Sequence, residues 1–162
     1  MNTAVILAQG MGSKIWPFNI RPKAALPVGG AALLRQQISA LEAVGITSII
    51  VVSNSRFEAQ LRHIASGRGS QPAGAAGMAM PGGGIQRANV EVFALDPPQG
   101  TAPALRQALA HAEDEHVLVL YGDVLLDPGT LPKLLSVHQE DRGIPLVLAV
   151  PLHPLENQTL YL

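Results

Sequence analysis

The chain has no cysteine, which excludes disulfides, thiolate zinc sites and a cysteine nucleophile and leaves the redox compartment open. Charge is also scarce. Charged residues make up 14% of the sequence and the net charge is -1, so no basic field exists to hold nucleic acid or an anionic membrane, and any affinity for phosphate must be local. No run approaches 18 apolar residues, and the amino terminus carries neither a basic segment nor a signal-length apolar stretch. A soluble, cytoplasmic protein with no membrane or nucleic-acid partner is expected. The five histidines, His63, His111, His116, His138 and His153, show no zinc-ligand spacing, and no serine lies in a G-x-S-x-G frame that would support a hydrolase triad.

What is plentiful is small and aliphatic. Hydrophobic residues reach 48% with only 4% aromatic, a core of Ala, Val, Leu and Ile that suits a parallel sheet covered by helices. At 162 residues the chain is one domain by length, and a globular chain of that size buries about 70% of its unfolded surface.

Strand and helix signals alternate along the chain. Thr3 to Ala8 reads as strand, Ala32 to Val44 as helix, Ser48 to Ser53 as strand and Ser55 to Ala65 as helix. Leu33, Leu34, Ile38, Leu41 and Val44 fall on one face of the first helix, and Gly45 follows as its stop. Asn89 to Leu95, His116 to Tyr121 and Leu146 to Leu152 read as further strands, with helices over Thr101 to Ala112 and Leu131 to Glu140. This is an α/β pattern: a Rossmann-like sandwich of helix, sheet and helix layers around a mainly parallel sheet. The segment from Ser66 to Ala88 shifts to Gly, Ala, Ser and Pro without any period and reads as a long flexible loop.

Four phrases carry chemistry. A-V-I-L-A-Q-G-M-G-S-K, from Ala4 to Lys14, is a buried strand running into a glycine loop. There Gly10 and Gly12 allow a sharp turn, and exposed amides could bind phosphate oxygens. R-P-K-A-A-L-P-V, from Arg21 to Val28, places Lys23 between a proline that restricts the backbone before it and an apolar anchor after it. Q-G-T-A, from Gln99 to Ala102, precedes a helix, with Thr101 a plausible cap. V-L-V-L-Y-G-D, from Val117 to Asp123, puts a carboxylate just past the carboxyl end of a buried strand, where open α/β sheets bind ligands. Neither standard phosphate motif fits: the third glycine of G-x-G-x-x-G would fall at Ile15, and Walker A is absent.

Taken in this order, L-A-x-G-x-G-[ST]-[KR], P-K-x-x-L-P-V-x-G, Q-G-T-A and the strand ending in G-D, the phrases resemble the sugar-phosphate nucleotidyltransferases, the nucleotide-sugar pyrophosphorylases. The resemblance implies attack by a sugar-1-phosphate oxygen on the α-phosphate of a nucleoside triphosphate, with release of pyrophosphate. Two anions must meet, so fixed cations are needed. By resemblance Lys14 grips the triphosphate tail and Lys23 the α-phosphate, these two being the catalytic residues, while Asp123 is a ligand to magnesium (Mg2+). Leu7, Ala8, Gln9, Gly10, Gly12, Ser13, Gln99, Gly100 and Thr101 would line the nucleotide.

The chain departs from the family in three places, one of them the stretch F-A-L-D-P-P before Gln99, where uridylyl-transferring relatives carry a glutamine that reads the base. Lys14 stands where arginine is usual, trading a bidentate fork for a point charge. Gln9 replaces a small residue, and its amide could touch the base or obstruct it. Trp16 and Phe18 read as a hydrophobic anchor, and Asp127 as turn chemistry before a helix. After P-L-E-N-Q-T-L-Y-L neither a capping helix nor a sugar-binding half follows, so a single domain lacking its carboxyl-terminal half is expected. A homo-oligomer is compatible with this. The alternatives are a catalytically silent nucleotide- or nucleotide-sugar-binding domain for regulation or assembly, and a nucleotidyltransferase acting on another phosphate.

Overall fold

A computed structural model describes residues 1–10, 20–67, 87–97, 100–141, 143 and 145. The expected loop core at 68–86, the fifth strand at Leu146 to Leu152 and the loop anchors Trp16 and Phe18 lie outside the described residues. The chain divides into two compact units, Met1–Leu126 and Asp127–Leu162.

The first unit is built on a four-stranded sheet. Its strands are β1 (Thr3–Leu7), β4 (Ser48–Ser53), β5 (Asn89–Ala94) and β6 (Val117–Tyr121). A two-residue-per-strand hairpin, β2 (Pro27–Val28) with β3 (Ala31–Ala32), forms a separate antiparallel pair. The helices are α1 (Leu33–Ala43), α2 (Ser55–Ala65) and α3 (Thr101–Leu109), and the second unit contributes α4 (Thr130–Glu140). The large sheet runs β5-β4-β1-β6 with every pairing parallel, as the βα alternation predicts. The registers are regular: Thr3 to Leu7 pair with Ser48 to Val52 on one side and with Val117 to Tyr121 on the other.

β1 and β4 sit in the middle of the sheet, and all five residues of β1 and Ile49 to Ser53 of β4 are buried. Their continuous apolar runs are the mark of strands covered on both faces. Alternate residues divide the core in two. Val5, Leu7, Ile50 and Val52 join Leu95, Ala104 and Ala108 in one cluster, which places α3 against that face. The alanines at 104 and 108, one helical turn apart and fully buried, let α3 lie close to the strands. Ala4, Ile6, Ile49 and Val51 point the other way and are equally buried; α2 packs on β4 and β5 and against α1, and the two helices bury apolar stripes, Leu34, Ile38 and Leu41 on one and Phe57 and Leu61 on the other.

Polar ties hold these helices in place. Arg35 of α1 bonds Glu42 one side at 2.7 Å and the Ala65 carbonyl at the end of α2 at 3.4 Å. The other oxygen of Glu42 accepts the Ala88 amide at 3.2 Å, at the entry to β5. Glycines do what only they can at two turns. Gly45 ends α1 at φ 85°, and Gly29 and Gly30, at φ 57° and 90°, close the β2–β3 hairpin as a two-residue turn with both central residues left-handed.

The order of strands in space sets the rest. From β1 the chain moves outward through β4 to β5, then returns to the opposite side of β1 for β6. The direction of winding therefore reverses between β1 and β6, and the carboxyl ends of these two strands form the topological switch point of the sheet. They remain in contact beyond their last paired residues: the Gly122 amide donates to the Leu7 carbonyl at 2.9 Å, and a Cβ added at Gly122 would stand 2.9 Å from the Ala8 Cβ and 3.0 Å from its Cα.

Two predictions come from this architecture. Gly122→Ala forces Ala8 or the turn to shift and is expected to cost about 1–3 kcal/mol. Gly129→Ala meets nothing within 4 Å and should stay within about 0.5 kcal/mol. Chemical denaturation of both variants checks the contrast, and equal effects would refute the close-approach argument. The second concerns Asp114, whose carboxyl the Thr3 hydroxyl and the Asn2 amide hold below the usual carboxylate range; the Asn2 amide donates to it at 2.7 Å. A depressed carboxyl stabilises the fold above its unfolded value, near about 4, and that contribution fades as pH falls through the folded value. Asp114→Asn should flatten the acid side of the stability curve and leave its shape above about pH 5 unchanged, as read from denaturation midpoints between neutral and acid pH.

Candidate functional site

Three chain segments converge at the switch point. The first is the end of β1. Leu7 and Ala8 are 7% exposed, and the Ala8 amide still donates to Val52 at 2.8 Å, prolonging the β1–β4 ladder by one residue. Gln9 follows, 9% exposed, with its carbonyl held by the Asn54 side-chain amide at 2.9 Å. Asn54 is 2% exposed and lies one residue past β4, so two neighbouring strand ends are joined. The exposed Gly10 comes next, with open space where a Cβ would be.

The second segment is the start of α3. Gly100, at φ 86° and ψ 179°, is the cap residue of the helix, and it makes no side-chain cap hydrogen bond. This corrects the expectation that Thr101 caps it: the left-handed swing at Gly100 turns the chain so that Thr101 is already the first helical residue. Gly100 is tied to the first segment, because Gln9 Nε2 donates to its carbonyl at 2.6 Å. Gln9 Oε1 is buried and finds no donor among the described residues.

The third segment brings the charges. Pro22, at φ -67° and ψ 145°, leads into a single turn of 3-10 helix at Lys23–Ala25, closed by Ala25 N to Pro22 O at 2.9 Å and Leu26 N to Lys23 O at 3.0 Å. Ala24 and Ala25 are buried at 2% and 7% exposure, and Leu26 is tied to the start of α1 through the Leu33 amide at 3.0 Å. The apolar anchor thus fixes the turn, as the sequence suggests. The Lys23 side chain leaves it toward Asp123, and Nζ meets Oδ2 at 2.8 Å. The two residues stand 100 positions apart in sequence.

This ion pair is accessible, with the lysine side chain 33% and the aspartate 44% exposed. Exposed pairs of this kind contribute about 0–1 kcal/mol. It is therefore a contact that an incoming ligand can displace at small cost. No group of three or more His, Asp or Glu that could hold a metal lies among the described residues. A divalent cation here would take Asp123, water and the oxygens of a phosphorylated ligand, a donor set that suits magnesium, which keeps waters and needs few carboxylates.

Of the residues singled out from sequence, Leu7, Ala8, Gln9, Gly10, Lys23, Gly100, Thr101 and Asp123 are described. Direct contacts join Ala8 to Gly122, Gln9 to Gly100 and Lys23 to Asp123. Gly12, Ser13, Lys14 and Gln99 lie outside the described residues. Asp127 stands in a turn, its backbone carbonyl accepting the Thr130 amide at 2.9 Å ahead of α4. Sequence reasoning missed Asn54 and Gln37. The available signal differs between them: Gln37 is a polar residue interrupting the buried apolar stripe of α1, whereas Asn54 follows Ser53 at the end of β4 and offers little local signal.

Comparison with known proteins agrees with this fold. The family described as Nucleotidyl transferase matches residues 3–161. A bifunctional IPC transferase and DIPP synthase from Aquifex aeolicus (strain VF5) is 40% identical over 63 residues, 38% of this chain and 15% of that protein. The bifunctional protein GlmU of Blochmanniella pennsylvanica (strain BPEN) is 29% identical over 123 residues, 75% of this chain and 22% of its own length. The solved structure of UDP-glucose pyrophosphorylase complexed with UDP-glucose superposes with a TM-score of 0.63 at 15% identity, over 88% of this chain and 55% of that one. This chain thus spans about half the length of that structure and less of the two curated relatives. With the match running over residues 3–161, the chain belongs to the nucleotidyl transferase family.

Proposed function

We propose that this chain is the nucleotide-binding part of a sugar-1-phosphate nucleotidyltransferase, transferring a nucleoside monophosphate from a triphosphate to a sugar-1-phosphate with release of pyrophosphate. The observation that carries the reading is the meeting of Lys23 and Asp123 at 2.8 Å beside the switch point. A cation suited to phosphate and a carboxylate suited to magnesium share one place, at the turn that is held against the end of β1. The relatives are consistent with nucleotide-sugar chemistry, since one is UDP-glucose pyrophosphorylase with UDP-glucose bound.

In the reaction a sugar-1-phosphate oxygen forms a bond to the α-phosphorus while the bond to the bridging oxygen of the β-phosphate breaks, and pyrophosphate leaves with the electron pair. Lys23 would face the α-phosphate, its ammonium aimed by the buried Ala24 and Ala25. Lys14 would hold the departing phosphates. Asp123 would hold the magnesium, which when bound supplies positive charge beside the phosphate oxygens. The chain from Leu7 to Gly10, with Gly12, Ser13, Gln99, Gly100 and Thr101, would offer amides and edges to the nucleotide. Because Lys23 and Asp123 already touch, ligand binding would exchange one charge pairing for two, ammonium with phosphate and carboxylate with metal.

One observation favours a second reading, a catalytically silent nucleotide-binding domain. The Gln9 amide bridges from the β1 loop to the Gly100 carbonyl, across the space between two segments assigned to the nucleotide. If that amide obstructs the base, Gln9→Ala would tighten nucleotide binding. If it contacts the base, the same change would weaken it.

Calorimetric titration with the four ribonucleoside triphosphates and deoxythymidine triphosphate, with and without magnesium, tests the reading. One nucleotide is expected to bind in a magnesium-dependent manner. Lys23→Ala should weaken that binding and, in a turnover assay with a sugar-1-phosphate acceptor, lower the rate by about a hundred- to a thousand-fold. Asp123→Asn should abolish the magnesium dependence while leaving metal-free binding in place. Binding of no nucleotide, or binding indifferent to both substitutions, would overturn the assignment.

A further inference from the structure

Gln37 breaks a pattern. The buried residues of α1 are Leu33, Leu34, Gln37, Ile38 and Leu41, an apolar stripe at helical spacing with one amide set into it. The residue is 4% exposed. Its Nε2 donates to the Tyr121 carbonyl at 2.9 Å and to the Val124 carbonyl at 2.6 Å. Those two carbonyls bracket Gly122 and Asp123.

A primary amide nitrogen has two hydrogens, and both are used here. Two backbone bonds also act on the turn that follows β6: the Gly122 amide binds the Leu7 carbonyl at 2.9 Å at its start, and the Val124 amide reaches the Tyr121 carbonyl at 3.3 Å. Past Tyr121 β6 pairs with no strand among the described residues, and the side chain from α1 takes both carbonyls. Gln37 Oε1 is buried without a donor among the described residues, a cost of about 1–3 kcal/mol. The acceptor half of the side chain therefore adds nothing, and what Gln37 supplies is the pair of donations. A leucine at 37 would complete the apolar stripe and leave the turn unclamped.

We propose that Gln37 is a positioning residue for Asp123. By clamping both ends of the Tyr121–Val124 turn it presents the carboxylate in the one arrangement that faces Lys23 and can receive a cation held with a triphosphate. The inference rests on the reading of Asp123 as the metal-holding carboxylate. Released from the clamp, the turn samples several arrangements, and apparent affinity falls in proportion to the competent fraction, so a tenth competent means a tenfold loss.

The test uses Gln37→Leu, which keeps the bulk without the donors, and Gln37→Asn, which keeps the amide but withdraws it by one methylene. Amide hydrogen exchange over Gly122 to Leu126 reads the clamp. Calorimetry with the tightest-binding of the five triphosphates, with and without magnesium, reads its purpose. Both variants are expected to speed exchange in that segment and to weaken magnesium-dependent binding about tenfold, with metal-free binding changed less than about twofold. Unchanged exchange would overturn the clamp. Faster exchange with undiminished magnesium dependence would overturn its role in positioning. If Gln37→Leu fails to fold, Gln37→Asn decides by the same two readouts. A wild-type chain without magnesium dependence would instead bring down the reading of Asp123 and this inference with it, whereas a dependent wild type beside unaffected variants would overturn the inference alone.

Discussion

The hydrogen bond from the Gly122 amide to the Leu7 carbonyl, at 2.9 Å, is the contact on which the candidate site depends. It carries the β1–β6 pairing one residue past the end of β6, from Gly122 to the last residue of β1. It can form only because residue 122 has no side chain, with Ala8 already where a Cβ would go. The close approach brings the turn that carries Asp123 against Ala8 at the end of β1, two residues before Gly10. Any larger residue at 122 would separate the two strand ends and spread the groups they carry.

Around that contact the site is assembled by short polar ties between elements far apart in sequence. Gln9 reaches Gly100, Asn54 holds the Gln9 carbonyl, Gln37 holds the turn at Asp123, and Lys23 reaches Asp123. Their energetics differ. The amides are buried and expensive to disrupt, because a broken tie leaves polar groups in an apolar surround. The Lys23–Asp123 pair is accessible and contributes little to stability. Firm supports under a labile pair of charges is the arrangement a ligand needs, since the scaffold stays in place while the charges change partners.

Much of this was legible in the residues. The apolar runs of β1 and β4 announced buried parallel strands, and the stripe on α1 together with Gly45 located that helix within a residue at either end. Lys23 and Asp123 were both picked out, one by the proline and apolar anchor around it, the other by its place after a strand. Less accessible were features that need two distant segments at once. The hairpin at Pro27–Val28 and Ala31–Ala32 is too short to show a period, with only Gly29 and Gly30 to betray it. Thr101 has the chemistry of a cap, but the left-handed backbone at Gly100 decides where the helix begins. Gln37 looked like an ordinary polar residue on a helix, and its partners lie more than eighty positions away.

By itself, then, the order of residues determined the class of fold and the kinds of chemical group available. Periodicity and glycine placement act over a few residues, and those local preferences are written directly in the chain. Which groups meet was decided by tertiary structure. The reversal of strand order between β1 and β6 put the switch point at Leu7 and Tyr121, and contacts of 2.6 to 2.9 Å there depend on the register of the sheet and the packing of α1 and α3 on its faces. Hydrogen bonds and ion pairs fall off over fractions of an ångström, so they respond to the whole packed fold and leave no local mark in the sequence that encodes them.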